Sequence, residues 1–108
     1  MGLKSQHISI YGFGSYFRDA PEWNDIDVLI VHNDLTPNSI NLALQAKGKL
    51  KLSIEEIDIS ILSIAEENRL GFIENAKALF LARYVGSDVN SANFVQQVEK
   101  VIFRQVLP

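Results

Sequence analysis

The chain has 108 residues, which is enough for one domain built around one hydrophobic core. Hydrophobic residues make up 47% of it and charged residues 21%, a balance typical of a folded globular protein rather than a disordered chain. The net charge of −3 argues against a nucleic-acid partner, and no apolar run is long enough to cross a membrane, so we expect a cytoplasmic protein.

Hydrophobic periodicity and turn residues predict strands that alternate with helices. In chain order, the predicted elements are a strand over 7–11, a helical turn over 15–17, a strand over 25–32, a helix over 37–47, a strand over 56–62, a helix from 64 that falters at 71 and resumes through 80, an edge strand over 83–85, a turn over 86–88 and a helix from about 91. The strand over 25–32 is apolar on both faces beyond its first residues, which places it inside a sheet.

Residues at the predicted helix ends support these boundaries. Thr36 followed by Pro37 is typical of a helix start, and Gly48 is expected to end the same helix. Ser63 and Glu66 match a capping box at the start of the next helix. The side chains expected to face inward from the first of these helices are Ile40, Ala43 and Leu44.

Two motifs constrain the directions of the first three strands. The Gly14-Ser15 pair follows the first strand, where it would also provide a flexible approach and a cap for the helical turn. Asp25 and Asp27 open the second strand, so they meet the Gly-Ser pair only if the two strands are antiparallel. Asp58 in the third strand joins them only if the second and third strands are parallel. The sequence therefore predicts an α/β (α+β) fold, a small mixed β-sheet with helices packed on it.

Three carboxylates at one end of a sheet would repel one another unless a cation lies between them. Because the chain has no cysteine, carboxylate oxygens and two histidines are the available metal ligands, which favours magnesium. Two magnesium ions would suit an in-line displacement at phosphorus. The backbone N–H groups of Gly14 and Ser15 would then meet the distal phosphates, and Arg18 lies one turn further on.

At this point the residues resemble the minimal nucleotidyltransferases of the DNA polymerase β superfamily, which include the antitoxin partners of HEPN-type toxins. That pattern is an apolar strand, Gly-Ser, about ten residues, Asp-x-Asp with a second apolar strand, and a third aspartate on a later strand. Here it consists of Gly14-Ser15, nine intervening residues, the Asp25-Ile26-Asp27 triplet and Asp58. The resemblance covers residues 8 to about 62.

The resemblance implies one nucleotidyltransferase domain over 1–108, with a motif core at 8–62 and C-terminal helices at 64–108. It implies that Asp25, Asp27 and Asp58 hold magnesium, as two ions, and that Asp58 helps to activate the attacking hydroxyl. The residues implied to hold the triphosphate are Gly14, Ser15 and Arg18. The implied reaction moves a nucleoside monophosphate, AMP from ATP, to an acceptor hydroxyl and releases pyrophosphate.

The partner of such a domain is left open between two main hypotheses. In the first, the protein is an enzyme, for example an antitoxin that adenylylates a HEPN-like toxin. Its protein partner would be such a toxin, or further copies of the same chain in a homo-oligomer. In the second, it is a catalytically silent module that binds a partner by contact alone, which Asp19 favours because it places a negative charge near the phosphates. An antibiotic-modifying enzyme is a third possibility, with little room in this chain for a drug-binding domain.

Other conspicuous residues have mainly structural interpretations. Trp23 is expected to cover the edge of the core, with stacking on a base as the alternative. The lysines from Lys47 to Lys51 are expected to be a solvated helix end, with attraction of an anionic partner as the alternative. The last helix carries an apolar stripe that is expected to join the core, or else to bind a partner helix: Phe94, Val98, Val101 and Ile102.

Overall fold

The structure, a computed structural model, describes residues 6–18 and 22–104. Asp19, which the sequence places near the phosphates, lies outside the described residues. The elements are β1 (His7–Phe13), α1 (Gly14–Phe17), β2 (Ile26–His32), α2 (Pro37–Ser53), β3 (Ile57–Ser63), α3 (Ile64–Leu70), α4 (Phe72–Ala76), β4 (Leu79–Val85), α5 (Gly86–Asn90) and α6 (Phe94–Arg104).

In the described part of the chain, four strands form one mixed sheet in the order β3-β2-β1-β4. Strand β1 is antiparallel to both β2 and β4, and β2 is parallel to β3. The fold is therefore α+β with helices on a small mixed sheet, as predicted. The two strand directions that the motifs require are confirmed, with α2 as the crossover between the parallel strands.

The main core lies on the sheet face that α2 and α6 cover. Its strand side chains include Ile8, Ile10, Val28 and Ile30, which alternate with residues of the opposite face as strand geometry requires. The helices add a larger set of buried side chains, namely Leu42, Ala43, Ala46, Leu50, Phe94, Val98 and Ile102. The expectation that the stripe on the last helix joins the core is thus confirmed for three of its four residues, while Val101 is half-buried.

The opposite face of the sheet carries the aspartates and is partly covered by α3 and α4. The ring of Phe72 packs edge-on against Phe13, with the ring centroids 5.0 Å apart. Leu29, which projects from the same face of β2, is fully buried. Strand β2 is therefore covered on both sides beyond its first residues, as its apolar sequence predicts.

Helix α2 is longer than predicted. Gly48 does not end the helix, which continues to Ser53. A Cβ at Gly48 would have no atom within 4 Å, so the glycine lies on the solvent side, while Leu50 beyond it is fully buried. Leu44 was expected to face inward but is 54% exposed, and Ala43 is buried as expected. The helix continues because burial of the following turn outweighs the modest helix propensity of one exposed glycine.

The segment after Gly71 also differs from prediction. Gly71 adopts a left-handed conformation and separates α3 from α4, as the faltering pattern indicates. The second helix does not reach Phe80, however, because Lys77 adopts φ 53° and ends it, and β4 begins at Leu79. The predicted edge strand is therefore four residues longer than expected, and a short helix, α5, stands where a turn was predicted.

Two of the three predicted N-terminal helix caps are confirmed. The Thr36 hydroxyl accepts a hydrogen bond from Ser39 N, and Ser63 with Glu66 forms the reciprocal capping box. At α1, the expected serine cap is wrong, since the helix starts at Gly14 and its N-cap residue, Phe13, makes no side-chain capping bond. Among the described residues, no helix has both the length and the apolar character needed to cross a bilayer.

Candidate metal and nucleotide site

The strand registers bring three aspartates together at one end of the sheet. Asp27 lies opposite Asp58 in the parallel β2–β3 pair, and Asp25 stands two residues earlier, just before β2. One carboxylate oxygen from each of the three lies within 4.8 Å of the others. Asp25 and Asp58 are exposed, whereas Asp27 is half-buried. The cluster is therefore open to solvent and to ligands on one side and held by the sheet on the other.

Gly14 completes one wall of this cluster. Phe13 is the cross-strand partner of Asp27, so Gly14 follows directly beside the aspartate. Gly14 has φ +78°, and a Cβ at this position would overlap Oδ2 of Asp27. Glycine is thus required twice here, once for the backbone conformation and once to leave space for the carboxylate.

The electrostatics of the cluster favour a bound cation. Burial raises the pKa of Asp27 above its ordinary value, and the carboxylates of Asp58 and Asp25 raise it further. In the described part of the chain, no lysine or arginine forms an ion pair with these three groups. A divalent cation would remove the repulsion, and an all-oxygen donor set of carboxylates suits magnesium. The residues present therefore fit the metal that the sequence predicts.

The remaining predicted site residues lie on or next to α1. Ser15 is half-buried in this helix, and its carbonyl accepts a hydrogen bond from Arg18 N at 3.2 Å. Arg18 is exposed at the C-cap of the helix. The structure thus brings Asp25, Asp27, Asp58 and Gly14 into one cluster. Ser15 and Arg18 follow on the adjoining helix, with no direct hydrogen bond from either to the aspartates among the described residues.

Aromatic side chains around the site were not identified from the sequence. The pair Phe13 and Phe72 lies beside the aspartates, because Phe13 is the partner of Asp27. On the other face, the ring of Phe17 covers Gly12, where a Cβ would clash with it, and this contact anchors α1. The sequence indicates the contact between Phe17 and Gly12, because the two residues are close in the chain and are separated by a tight turn. Phe72 gives no local signal, since it comes from a distant segment.

Several residues with alternative interpretations prove to be structural. Trp23 packs edge-on against Tyr16, with centroids 4.8 Å apart, and is 40% exposed, so it covers the core edge as expected. Lys49 Nζ donates to the carbonyl of Val89, and Lys51 Nζ donates to a carbonyl at the start of β3. These two lysines therefore make hydrogen bonds within the chain.

A mixed sheet that presents three clustered carboxylates beside a Gly-Ser turn is the arrangement expected of a nucleotide-transferring domain. In agreement, the family model described as nucleotidyltransferase domain matches residues 2–83, and the chain belongs to this family. The resemblance inferred from the motifs is thereby confirmed. No curated protein and no solved structure gives a significant match to the chain.

Proposed function

We propose that the protein is a magnesium-dependent nucleotidyltransferase that moves a nucleoside monophosphate, AMP from ATP, to an acceptor hydroxyl. The observation that carries this proposal is the convergence of Asp25, Asp27 and Asp58 within 4.8 Å. Family membership supports the general reaction, and the choice of ATP follows the resemblance of the motifs. Pyrophosphate is the second product.

Each site residue has a distinct role in this proposal. Two bound magnesium ions would neutralise the phosphates and favour ionisation of the acceptor hydroxyl. Asp25 and Asp27 hold the metal, and Asp58 completes its ligand set. Asp58 also accepts the hydroxyl proton as the acceptor oxygen bonds to the α-phosphorus. The bond between that phosphorus and the pyrophosphate oxygen breaks in the same displacement, so the electron pair leaves with pyrophosphate.

The residues around α1 would bind the leaving pyrophosphate. The first N–H groups of α1 have no capping side chain, so those of Gly14 and Ser15 are available to phosphate oxygens. The Ser15 hydroxyl adds a donor, and the exposed Arg18 guanidinium is free to turn toward the same negative charge. Because α1 has only four residues, these local donors matter more than any helix dipole.

The acceptor is proposed to belong to a protein, such as a HEPN-like toxin. Two leucines on α2 are available for such a contact, since Leu44 and Leu52 are 54% and 91% exposed. These side chains would serve equally in the alternative, a catalytically silent module that neutralises its partner by binding. The two functions differ only in whether the aspartates carry out transfer.

The test is incubation with α-labelled ATP, magnesium and a candidate partner, with Asp27→Asn and Glu99→Gln as variants. Glu99 lies on α6, which packs on the opposite face of the sheet, so Glu99→Gln is the matched loss of one carboxylate. Transfer of label with wild type and Glu99→Gln, and a loss of about 100-fold or more with Asp27→Asn, would support the enzyme. Tight partner binding without label or pyrophosphate would favour the silent module instead.

A further inference from the structure

A second concave site lies on the same sheet face as the aspartates but at the other end of the strands. It is a cavity of about 230 Å³ between the sheet and the pair α3–α4. Its floor includes Ser9 of β1, Val31 of β2 and Arg83 of β4, and its roof includes Ile64 and Ile73. We call it the Arg83 cavity.

The Arg83 cavity is separate from the metal site. Val31 stands four residues beyond Asp27 on β2, which is about 13 Å along a strand at ~3.3 Å per residue. Leu29, between them on the same face, is fully buried, so β2 exposes no side chain between Val31 and Asp27. A ligand in the cavity would therefore not occupy the position of the metal ions.

Arg83 gives this cavity an unpaired positive charge. Its Nε donates to Ser9 Oγ at 3.3 Å, which leaves the two terminal nitrogens of the guanidinium for other partners. Within the described residues Arg83 forms no ion pair, although Glu67 also lines the cavity. Glu67 instead accepts a hydrogen bond from Ile73 N at 2.9 Å, at the start of α4. Arg83 as a whole is exposed to solvent.

Neutral polar side chains also line the cavity. One of them is His7, whose Nδ1 contacts Asn33 Nδ2 at 3.3 Å. Tyr11 and Asn68 also line the cavity, and neither side chain makes a hydrogen bond within the described part of the chain. One cation, one carboxylate and several neutral polar groups thus line the same cavity.

The other walls of the cavity are apolar. Val31, Ile64 and Ile73 offer only hydrocarbon, and a ligand with an apolar body would displace water from them. The carboxylate of Glu67 repels anionic groups, so a negative charge on the ligand is favoured only where it meets Arg83. A volume of about 230 Å³ equals the share of about eight waters at ~30 Å³ each, which limits the ligand to a small molecule.

We propose that the Arg83 cavity binds a small organic monocarboxylate whose apolar body lies between Ile64 and Ile73. The carboxylate accepts hydrogen bonds from the terminal nitrogens of Arg83, in the paired geometry that guanidinium and carboxylate favour. This site is independent of the transfer reaction proposed above. Its ligand would occupy the cavity whether or not the aspartates bind metal.

The test is an amide NMR titration of the full chain with benzoate, in parallel with benzamide and inorganic phosphate. Benzoate is expected to bind saturably and to shift the amides of β1 and of Arg83. Benzamide has nearly the same shape without the charge, and is expected to bind about tenfold more weakly or worse. Phosphate has no apolar body and carries more charge, so it is also expected to bind more weakly.

Two variants make the titration specific. Arg83→Gln is expected to weaken benzoate binding by about tenfold or more, while Arg69→Gln, a matched loss of charge on α3 outside the cavity, leaves it unchanged. The amide spectrum of each variant shows directly whether it is folded. The proposal would be overturned if Arg83→Gln bound benzoate as tightly as wild type, or if benzamide or phosphate bound as tightly as benzoate. It would also be overturned if the shifts were centred on Asp27 and Asp58, or if magnesium ATP displaced benzoate.

Discussion

The carboxylate of Asp27 lies in the space that a side chain at Gly14 would occupy. The two residues are brought together by the antiparallel β1–β2 register, in which Phe13 is the partner of Asp27. Because Gly14 also has φ +78°, the turn into α1 and the position of the aspartate depend on the same missing Cβ. The metal cluster and the Gly-Ser turn are therefore one structural unit.

Gly14→Ala is expected to disrupt this unit. The new methyl group would displace the Asp27 carboxylate, and the left-handed backbone would cost about 1–2 kcal/mol of stability. Urea unfolding measures the stability, and thermal shift with magnesium measures whether the metal site persists. The matched control is Gly48→Ala in the exposed middle of α2, which is expected to stabilise the protein by about 0.5–1 kcal/mol. A Gly14→Ala protein with unchanged stability and magnesium response would contradict the relationship.

Asp27 is expected to make the metal-free protein less stable as pH rises. Its pKa is raised in the fold by burial, then by Asp58 and Asp25. A group with a folded pKa above its unfolded value contributes stability at low pH, and that contribution is lost as pH rises through the folded pKa. The free energy of unfolding of wild type should therefore fall relative to that of Asp27→Asn as pH rises. Both are measured in chelator between about pH 4 and 7. A difference that is constant with pH would refute this.

The capping box at α3 is expected to have the opposite pH dependence. Hydrogen bonds from Ser63 N and then from its hydroxyl lower the pKa of Glu66. A lowered folded pKa gives stability that is present above the ordinary pKa and is lost as pH falls through the folded value. Glu66→Gln should therefore flatten the loss of stability in acid, whereas Ser63→Ala should cost about 1 kcal/mol at neutral pH. Urea unfolding at neutral and acid pH checks both, with Glu99→Gln as control.

Neighbouring leucines on α2 provide a test of where this helix ends. Leu50 is fully buried beyond Gly48, while Leu52 is 91% exposed. Leu50→Ala is therefore expected to cost about 2–5 kcal/mol, and Leu52→Ala to change stability by no more than about 0.5 kcal/mol. Similar losses for the two variants in urea unfolding would show that the last turn of α2 is not packed as described.

The strand directions could be predicted because the chemistry of the motifs required them. Asp25, Asp27 and Asp58 can share a site only in a mixed sheet of the observed directions, and alternation of apolar residues placed the three on one face. The end of α2 could not be predicted, because an exposed glycine costs only about 1 kcal/mol and its exposure is not visible in the sequence. Burial of Leu50 and Ile54 outweighs that cost.

The start of β4 shows a second kind of limit. Ile73, Ala76 and Phe80 have helical spacing, so the pattern favours a continuous helix. The helix ends because Lys77 takes a left-handed conformation, which no glycine or proline signals. Parts of the site that depend on this segment, namely Phe72 beside the aspartates and the roof of the Arg83 cavity, could not be predicted from local sequence for the same reason.

Whether Asp25, Asp27 and Asp58 form one divalent metal site can be measured directly by amide NMR with manganese as a paramagnetic substitute for magnesium. Substoichiometric manganese is expected to broaden the amides around Asp27 and Asp58 first. Excess magnesium is expected to reverse this broadening, and the double variant Asp25→Asn with Asp27→Asn to abolish it. Broadening centred elsewhere, or undiminished in the folded double variant, would show that the three carboxylates do not form one metal site.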